Sequence, residues 1–490
     1  MTQLFALIWI MNKKNQKETK KEAKESLICF FDKNAPLRKN WIKKNNYYNK
    51  LMHRFVSFHV PEKSNILEIG CGTGNLLSSL NPGKGVGIDF SPGMIKIASK
   101  KYPRLKFLCV DVHDFDTREK FDYIIISDTI GYFADIQRVF KNLKKNCTSK
   151  TRIIITSYNF LWEGILKLSE LFGLKMKQPF TNWLNTEDIS NLLELEGFEV
   201  VKKKKIILMP KYIPVISYLL NKYLAHFPII NNLCLVNAII ARAKNTEPKK
   251  EKSVSIIIPA RNEEGNIENA LKKMPRFGKN QEIIFIEGNS KDGTYAEIKR
   301  VAKKYKGKWD IRYAQQEGIG KGDAVRKGFG MAKGDLLMIL DADLTVAPSE
   351  LPKFYEAIAS GKGEFINGCR LVYPLEKESM RSLNIFGNKM FSLAFTWILE
   401  QRFKDTLCGT KVISKQNYKI LEKNRHYFGE FDPFGDYDLI FGASKMDLKI
   451  VEIPIRYRER TYGDTNINRI SHGWLLIKMC LFSLRKIKFI

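Results

Sequence analysis

Two stretches of this chain, residues 64–160 and 253–345, repeat one pattern: a short apolar run, a glycine-bearing turn, then an amphipathic helical period. Few folds accommodate that alternation. Short apolar runs alternating with helices predict parallel strands buried on both faces and joined by helical crossovers, which places the chain in the α/β class. Between the two stretches lies AKNTEPKKEK, with Pro248 among charges and no apolar period. A linker there predicts two domains, as a length of 490 residues also favours. The expected divisions are a charged, disordered segment over 1–30, a first domain over 31–243, a linker over 244–252 and a second domain over 253–490.

Lysine and arginine number 82 against 52 aspartates and glutamates, a formal charge of +30. Such an excess suits an anionic partner, whether nucleic acid, a phosphorylated ligand or an acidic membrane face. Charge alone does not choose among them. The eight cysteines are scattered without CxxC spacing, so neither a zinc site nor a disulfide framework is signalled, and a reducing cytoplasm is expected. The leading MTQLFALIWIM is too short to span a bilayer and lacks the basic leader of a signal peptide. The most apolar later region, IPVISYLLNKYLAHFPIINNLCLVNAIIA, is interrupted by Lys222, His226 and Pro228. It is expected to be core and not membrane.

In the first stretch, NILEIGCGTGNLLSSL turns from strand to helix through Gly70, Gly72 and Gly74, directly after Glu68. Residues without side chains let the backbone curl tightly and approach a ligand. GVGID ends in Asp89, followed by Phe90, and LKFLCVD ends in Asp111, followed by Val112. The first acid is placed for ribose hydroxyls and the second for an adenine edge. The GxGxG spacing resembles the class I S-adenosylmethionine-dependent methyltransferases over residues 65–159 and departs from the GxGxxG of nicotinamide-binding folds. The resemblance implies a Rossmann-like sheet and S-adenosylmethionine as cofactor, held by Glu68, Gly70, Gly72, Gly74, Asp89, Phe90, Asp111 and Val112. It also implies that Ser127, Asp128 and Tyr132, after the fourth strand, face the transferred methyl. The stretch TNWLNTEDISNLLELEGFEVVKKKKIILMP looks like the helix and antiparallel hairpin that close such sheets. His53, His59 and His113 are expected on the surface or in loops.

In the second stretch, VSIIIPARNEEGNIENALKKM and EIIFIEGNSKDGTYAEI repeat the strand–turn–helix shape, and MILDADLT ends an apolar strand in two carboxylates. Two like charges at a buried strand end need compensation. If the backbone stays extended, Asp341 and Asp343 project to one side, where a divalent cation would cancel their repulsion and bridge to phosphate oxygens.

These motifs resemble glycosyltransferase family 2, and within it the dolichol-phosphate and polyprenyl-phosphate sugar transferases, from about residue 254 to 469. The resemblance implies a type A, nucleotide-sugar-binding Rossmann-like domain in which Asp341 and Asp343 hold Mg²⁺ or Mn²⁺. Pro259, Ala260, Asn262, Glu263, Glu287 and Lys321, together with Asp341, would bind the donor. Arg370 and Arg381 would hold an acceptor phosphate, while Arg458 and Arg460 would offset charge on the leaving diphosphate. Asp436, with Asp438, is the candidate base if the acceptor is a hydroxyl. Gly288 stands where the family usually has a second acid, Thr345 where a glutamine is common and Asn466 where a lysine is common.

The expectation is therefore a bifunctional transferase, moving a sugar with inversion onto a polyprenyl-phosphate-type acceptor and a methyl group from S-adenosylmethionine. Transfer to a saccharide hydroxyl, with methylation of the same glycan, is a second reading. A basic RNA-binding methyltransferase is a third, although no aromatic-rich basic motif accompanies the charge. SLNIFGNKMFSLAFTWILEQRF and SHGWLLIKMCLFSLRKIKFI suit helices lying in a membrane interface. A cytoplasmic protein, peripheral on the inner face of the membrane, is expected.

Overall fold

The computed structural model describes residues 22, 24–179, 181–244, 251–373, 382–427, 435–458, 460, 462 and 469–489. Two compact units part between Lys244 and Asn245. Each is an α/β sandwich of the class the alternation predicts.

The first unit is built on strands β1 (Asn65–Ile69), β2 (Lys84–Asp89), β3 (Lys106–Cys109), β4 (Tyr123–Ser127), β5 (Arg152–Tyr158), β6 (Phe198–Ile206) and β7 (Val236–Ala243). They order as β3-β2-β1-β4-β5-β7-β6, parallel except that β7 runs against β5 and β6. Ile66, Leu67, Ile124, Ile125, Ile153 and Ile154 are all fully buried. Consecutive buried residues in these three central strands are what covering both faces with helices demands. Chain order reverses beside β1, so the β1 and β4 ends form the crevice where ligands of such sheets lie.

Two features of this unit differ from expectation. Residues 24–34 are helical, and the helix begins inside the stretch 1–30 expected to be disordered. The antiparallel partner of β6 does not follow within the stretch 181–210 expected to hold the closing hairpin; it is β7, reached by a detour over residues 207–235. That detour contains most of the region expected to be core, yet Ile213, Val215, Ile216 and Ile229 are exposed, the last by 85%. Apart from Ile207, Ser217 and Ala225, its buried residues are confined to its end, from Cys234 into β7. Apolar composition is shared by cores and exposed faces, and here much of it lies on an exposed face.

The second unit holds β8 (Val254–Ala260), β9 (Gln281–Glu287), β10 (Asp310–Gln315), β11 (Leu336–Ile339), β12 (Phe365–Cys369), β13 (Lys411–Ser414) and β14 (Ile450–Pro454). Their order is β10-β9-β8-β11-β13-β12-β14, with β13 antiparallel to both neighbours. One apolar cluster around Ile257, Phe365 and Tyr437 and another around Ile256, Phe285 and Phe354 fill its two faces. The helix Ser382–Leu399 buries Phe395, Ile398 and Leu399 but exposes Met390 and Leu393. Similarly, the helix Arg469–Ser483 buries Met479 and exposes Trp474, Ile477 and Leu481. Among the described residues, no helix is long and apolar enough to cross a membrane.

Candidate functional site

The first unit's crevice is shaped by its glycine turn. Gly70 has φ +71°, and a Cβ there would fall on the Thr129 side chain, so the residue both reverses the chain and lets the β4 loop close over it. The turn is pinned by Gly70 and Cys71 donating to Ile88 O at 2.8 and 3.0 Å. Asp89 accepts from Gly72 N and Ser91 N, both at 2.9 Å, and burial raises its pKa. Phe90 stacks edge-on against Phe31 at 5.5 Å. Val112 packs on the apolar core.

Glu68 lies beneath the turn and accepts from Leu77 N at 3.0 Å in the following helix. Burial pushes its carboxyl from 4.5 up to about 8. The folded state therefore keeps a proton that the unfolded chain releases above pH 4.5, so this contribution to stability is full below 4.5 and is lost as pH rises through about 8. In Glu68→Gln, chemical denaturation across that window should lose roughly 3–5 kcal/mol of pH-dependent variation. A pH slope equal to that of the unmodified chain would rule the assignment out.

Sequence-distant groups meet the expected cofactor acids. Lys24 Nζ lies 2.7 Å from Asp111, and His113 Nδ1 lies 2.6 Å from the same carboxylate. Burial alone would raise the Asp111 pKa, but hydrogen bonds from His113 and Lys24 outweigh it and hold the group well below the usual carboxylate range. Asp32 accepts from Gly93 N at 2.9 Å. His59, expected at the surface, is buried beside Phe55 and Phe58.

Beyond β4 and β5 lies a cavity of 180 Å³ lined by Asp128, Tyr132, Tyr158, Glu170, Lys175 and Trp183, among others. Ser127, its near neighbour in sequence, bonds Thr156 Oγ1 at 3.3 Å. Asp128 accepts from Tyr48 OH at 2.5 Å and Thr156 Oγ1 at 2.9 Å, and burial raises its pKa. Tyr48 and Thr156 carry no motif, so sequence reading passed them by.

In the second unit, Asp341 and Asp343 do not lie in an extended strand. The chain leaves β11 and turns, with Leu344 at φ +54° and Leu344 N on Asp341 O at 3.3 Å. The carboxylates take separate partners: Asp341 Oδ1 meets Lys321 Nζ at 2.6 Å, and Asp343 Oδ2 meets Arg460 Nη2 at 3.2 Å. Asp343 Oδ1 also accepts from Thr345 N and Oγ1 at 3.1 and 2.8 Å. In this structure, then, two cationic side chains relieve the like-charge repulsion. Burial would raise the Asp341 pKa, yet Lys321 keeps it below its ordinary value.

Arg460 reaches on to Glu263 at 2.9 Å. Burial, with smaller contributions from Asp343 and Asp292, pushes Glu263 up to about 7 against the opposing effects of Asn266 and Arg460. Lys321 heads the helix Lys321–Met331 and lies 3.9 Å from Asp436, whose other oxygen meets Lys411 Nζ at 3.0 Å. Lys411 is 1% exposed. It sits within the DTLCGTKV motif yet carried no assignment, because its role depends on a helix 25 residues away. Asp438 faces Arg425 at 3.3 Å.

Gly409 closes this array. A Cβ there would fall on Asp341 Oδ2 and Lys321 Nζ. Displacing reacting groups by about 1 Å can cost on the order of 10²-fold in rate. Gly409→Ala should lower any turnover this array supports by about that factor while leaving far-UV circular dichroism unchanged, and full activity in that variant would contradict the packing.

Asn262, in a left-handed conformation at φ +56°, accepts from Lys291 N at 2.8 Å, and its own N–H donates to Ser290 Oγ at 3.0 Å. Pro259 and Ala260 end β8 against Ile286 and Glu287. Glu287 accepts from Ser290 N at 2.5 Å and Gln315 Nε2 at 3.0 Å. Burial pulls its pKa up, and these bonds outweigh it to leave it lowered. Arg370 is clamped by Asp405, with Nε and Nη2 at 2.7 and 2.8 Å from the two carboxylate oxygens, and lies 5.1 Å over Tyr457. Arg458 N bonds Thr345 O at 2.9 Å, holding the arginine segment beside the aspartate turn. Arg381 and Asn466 lie outside the described residues.

Oxygen-only carboxylates at one turn fit Mg²⁺ or Mn²⁺, which take one or two carboxylates and draw remaining ligands from substrate phosphate. Asp341 and Asp343 are the residues that would hold it.

Residues 61–207 match the family described as a methyltransferase domain, and residues 255–416 match Glycosyl transferase family 2. A dolichol-phosphate mannosyltransferase of Pyrococcus furiosus is 36% identical over 221 residues, covering 44% of this chain and 59% of the relative. An undecaprenyl-phosphate 4-deoxy-4-formamido-L-arabinose transferase of Edwardsiella ictaluri is 35% identical over 112 residues, covering 22% of this chain and 34% of that protein. The chain thus spans less than two thirds of either relative. A SAM-dependent methyltransferase of Thermotoga maritima superposes with a TM-score of 0.35 at 18% identity, over 45% of this chain and 100% of that one.

Proposed function

From a chain that joins a methyltransferase domain to a family 2 glycosyltransferase domain, we propose a bifunctional transferase of glycolipid or surface-polysaccharide synthesis. Its second unit moves a sugar with inversion from a nucleotide-diphosphate sugar to a polyprenyl-phosphate-type acceptor. Its first unit moves a methyl group from S-adenosylmethionine. The observation that carries the reading is the alternating array of Lys411, Asp436, Lys321 and Asp341 beside Asp343 and Arg460.

Lys321 and Arg460 are held by carboxylates at the turn, so both cations are already oriented where negative charge builds on a departing diphosphate. A divalent ion between Asp341 and Asp343 would supply Lewis-acid stabilisation of that same charge. Asn262, Glu287 and the end of β8 form the nucleotide side. Arg458 enters from the segment bonded to Thr345, and Arg370, fixed in orientation by Asp405, would present its remaining N–H groups to an acceptor phosphate. A phosphate monoester has a second pKa of about 6, so it is ionised near neutrality and needs no base. Asp436 and Asp438 are each already engaged by a cation, which favours this acceptor over a sugar hydroxyl whose proton a carboxylate must remove.

In the first unit, the glycine turn, Asp89 and Asp111 would hold S-adenosylmethionine, whose sulfonium supplies the leaving group. The protein's own task is positioning. The membrane contact suited to a lipid acceptor would come from the exposed apolar sides of the helices Ser382–Leu399 and Arg469–Ser483.

The experiment is an acceptor screen with purified full-length protein, Mn²⁺ and nucleotide sugars, following nucleotide diphosphate release. Turnover with a short polyprenyl phosphate is expected. Turnover with oligosaccharides alone would replace this reading by hydroxyl transfer.

A further inference from the structure

More than half of the exposed large hydrophobic side chains among the described residues fall in two segments of the first unit, residues 160–174 and 211–233. The segments are stitched together at both ends. Trp162 Nε1 donates to Leu233 O at 2.9 Å, and Lys211 Nζ to Leu174 O at 3.4 Å. They therefore form one face.

Helical spacing explains the exposure. Along Glu163–Leu171, Leu166 is buried while Ile165, Leu168 and Leu171 point out. Along Ile216–Lys222, Ser217 is buried while Ile216 and Leu219 point out. Residues three apart share a side, so each helix has an apolar face turned away from its own core. A contiguous patch of this kind marks an interaction site.

The charge around it identifies the occupant. Residues 211–233 contain no aspartate or glutamate but Lys211 and Lys222, and two further cations reach the edge of the face, Lys44 donating to Gly173 O and Lys205 to Asn232 Oδ1. The acids of the other segment are neutralised: Glu163 meets Lys167 and Glu170 meets Lys175, both at 2.6 Å. Tyr212 and Tyr218 are exposed within the patch, and Lys222 Nζ lies 4.9 Å over the Tyr218 ring. Apolar side chains bordered by tyrosines and lysines fit the headgroup layer of an anionic bilayer. A second copy of a chain carrying +30 would bring like charge to the same face.

We propose that the first unit docks on an anionic membrane through this face, by itself and apart from the helices of the second unit. Glu163, Lys167 and Glu170 of the docking helix also line the 180 Å³ cavity that contains Asp128. On the reading that this unit transfers methyl groups, docking sets the cavity beside the headgroups and the methyl acceptor is a polar group carried on a lipid.

The test uses full-length protein without S-adenosylmethionine or sugar donor, so it is independent of both activities. Vesicles of phosphatidylcholine mixed with phosphatidylglycerol should slow amide hydrogen exchange in residues 160–174 and 211–233, and pure phosphatidylcholine should do so far less. Trp474→Glu/Leu481→Glu, on the second unit, should leave that protection in place. Phe172→Glu/Ile216→Glu/Ile229→Glu, all at exposed positions, should weaken vesicle co-sedimentation by at least ~tenfold with circular dichroism unchanged. Three results would overturn the proposal: unweakened binding of the triple variant, no vesicle-dependent protection in the two segments, or protection that rises with protein concentration in the absence of lipid, which would make the occupant a second copy.

Discussion

Asp343→Ala should reduce sugar transfer by about 10³-fold while the second unit remains folded. The side chain holds three relationships at once: it accepts from Thr345 N and Oγ1, pairs with Arg460, and is one of two carboxylates suited to a divalent ion. Its loss frees Arg460 to fall entirely to Glu263, 2.9 Å away, and removes half of the anionic seat for the metal. On the proposed reading a donor diphosphate would then lose an oriented guanidinium, worth about 10²-fold when charge develops on a leaving group, and would hold a divalent ion less firmly, for a combined loss of about 10³-fold. Nucleotide release assayed over a Mn²⁺ titration separates the cases. A variant that recovers at high Mn²⁺ has lost affinity alone, and one with unmodified activity throughout would remove Asp343 from the mechanism.

Asp405→Ala should strongly destabilise the second unit. Asp405 is fully buried, and its carboxylate accepts from Arg370 N, Nε and Nη2, Asn388 Nδ2 and Leu407 N between 2.7 and 3.1 Å. Burial would raise its pKa, but Arg370 and these donors bring it down to about 2. The folded pKa is depressed, so the contribution to stability is present above the ordinary carboxylate pKa and is lost as pH falls through about 2. Removing one member of a buried pair leaves the other charged and unpaired, which costs roughly 3–5 kcal/mol. In a unit of this size that corresponds to a fall in Tm on the order of 10 °C. Asp405→Asn, which keeps volume and several acceptor contacts, should fall between. A Tm for the alanine variant unchanged at neutral pH would show that Arg370 finds water or another carboxylate instead.

Local pattern made the strands, the glycine turn and the aspartate pair legible, because each depends on residues within a few positions of one another. The partners of those turns were not legible. Lys24 meets Asp111 across 87 positions, Glu263 meets Arg460 across 197, and Lys411 meets Asp436 across 25. Sheet order brings them together, and no spacing rule encodes it. The extended backbone assumed for the aspartate pair gave way to a turn at Leu344, so the two side chains share a neighbourhood through their cations. The detour of residues 207–235 misled for a different reason. An apolar run that never meets a second packed layer has the same composition as one that does, and the strand expected to pair with β6 close by lay beyond the whole excursion.

That detour leaves and re-enters the sheet at almost one point, since Leu235 N donates to Ile207 O at 2.8 Å. The hydrogen bond closes the excursion at its base, so a short splice between those residues would leave β6 and β7 in register. Lengthening or trimming it costs little chain entropy, because closure entropy grows only slowly with loop length. Evolution could graft or prune the appendage, and with it the apolar face it carries, while the sheet beneath stayed the same.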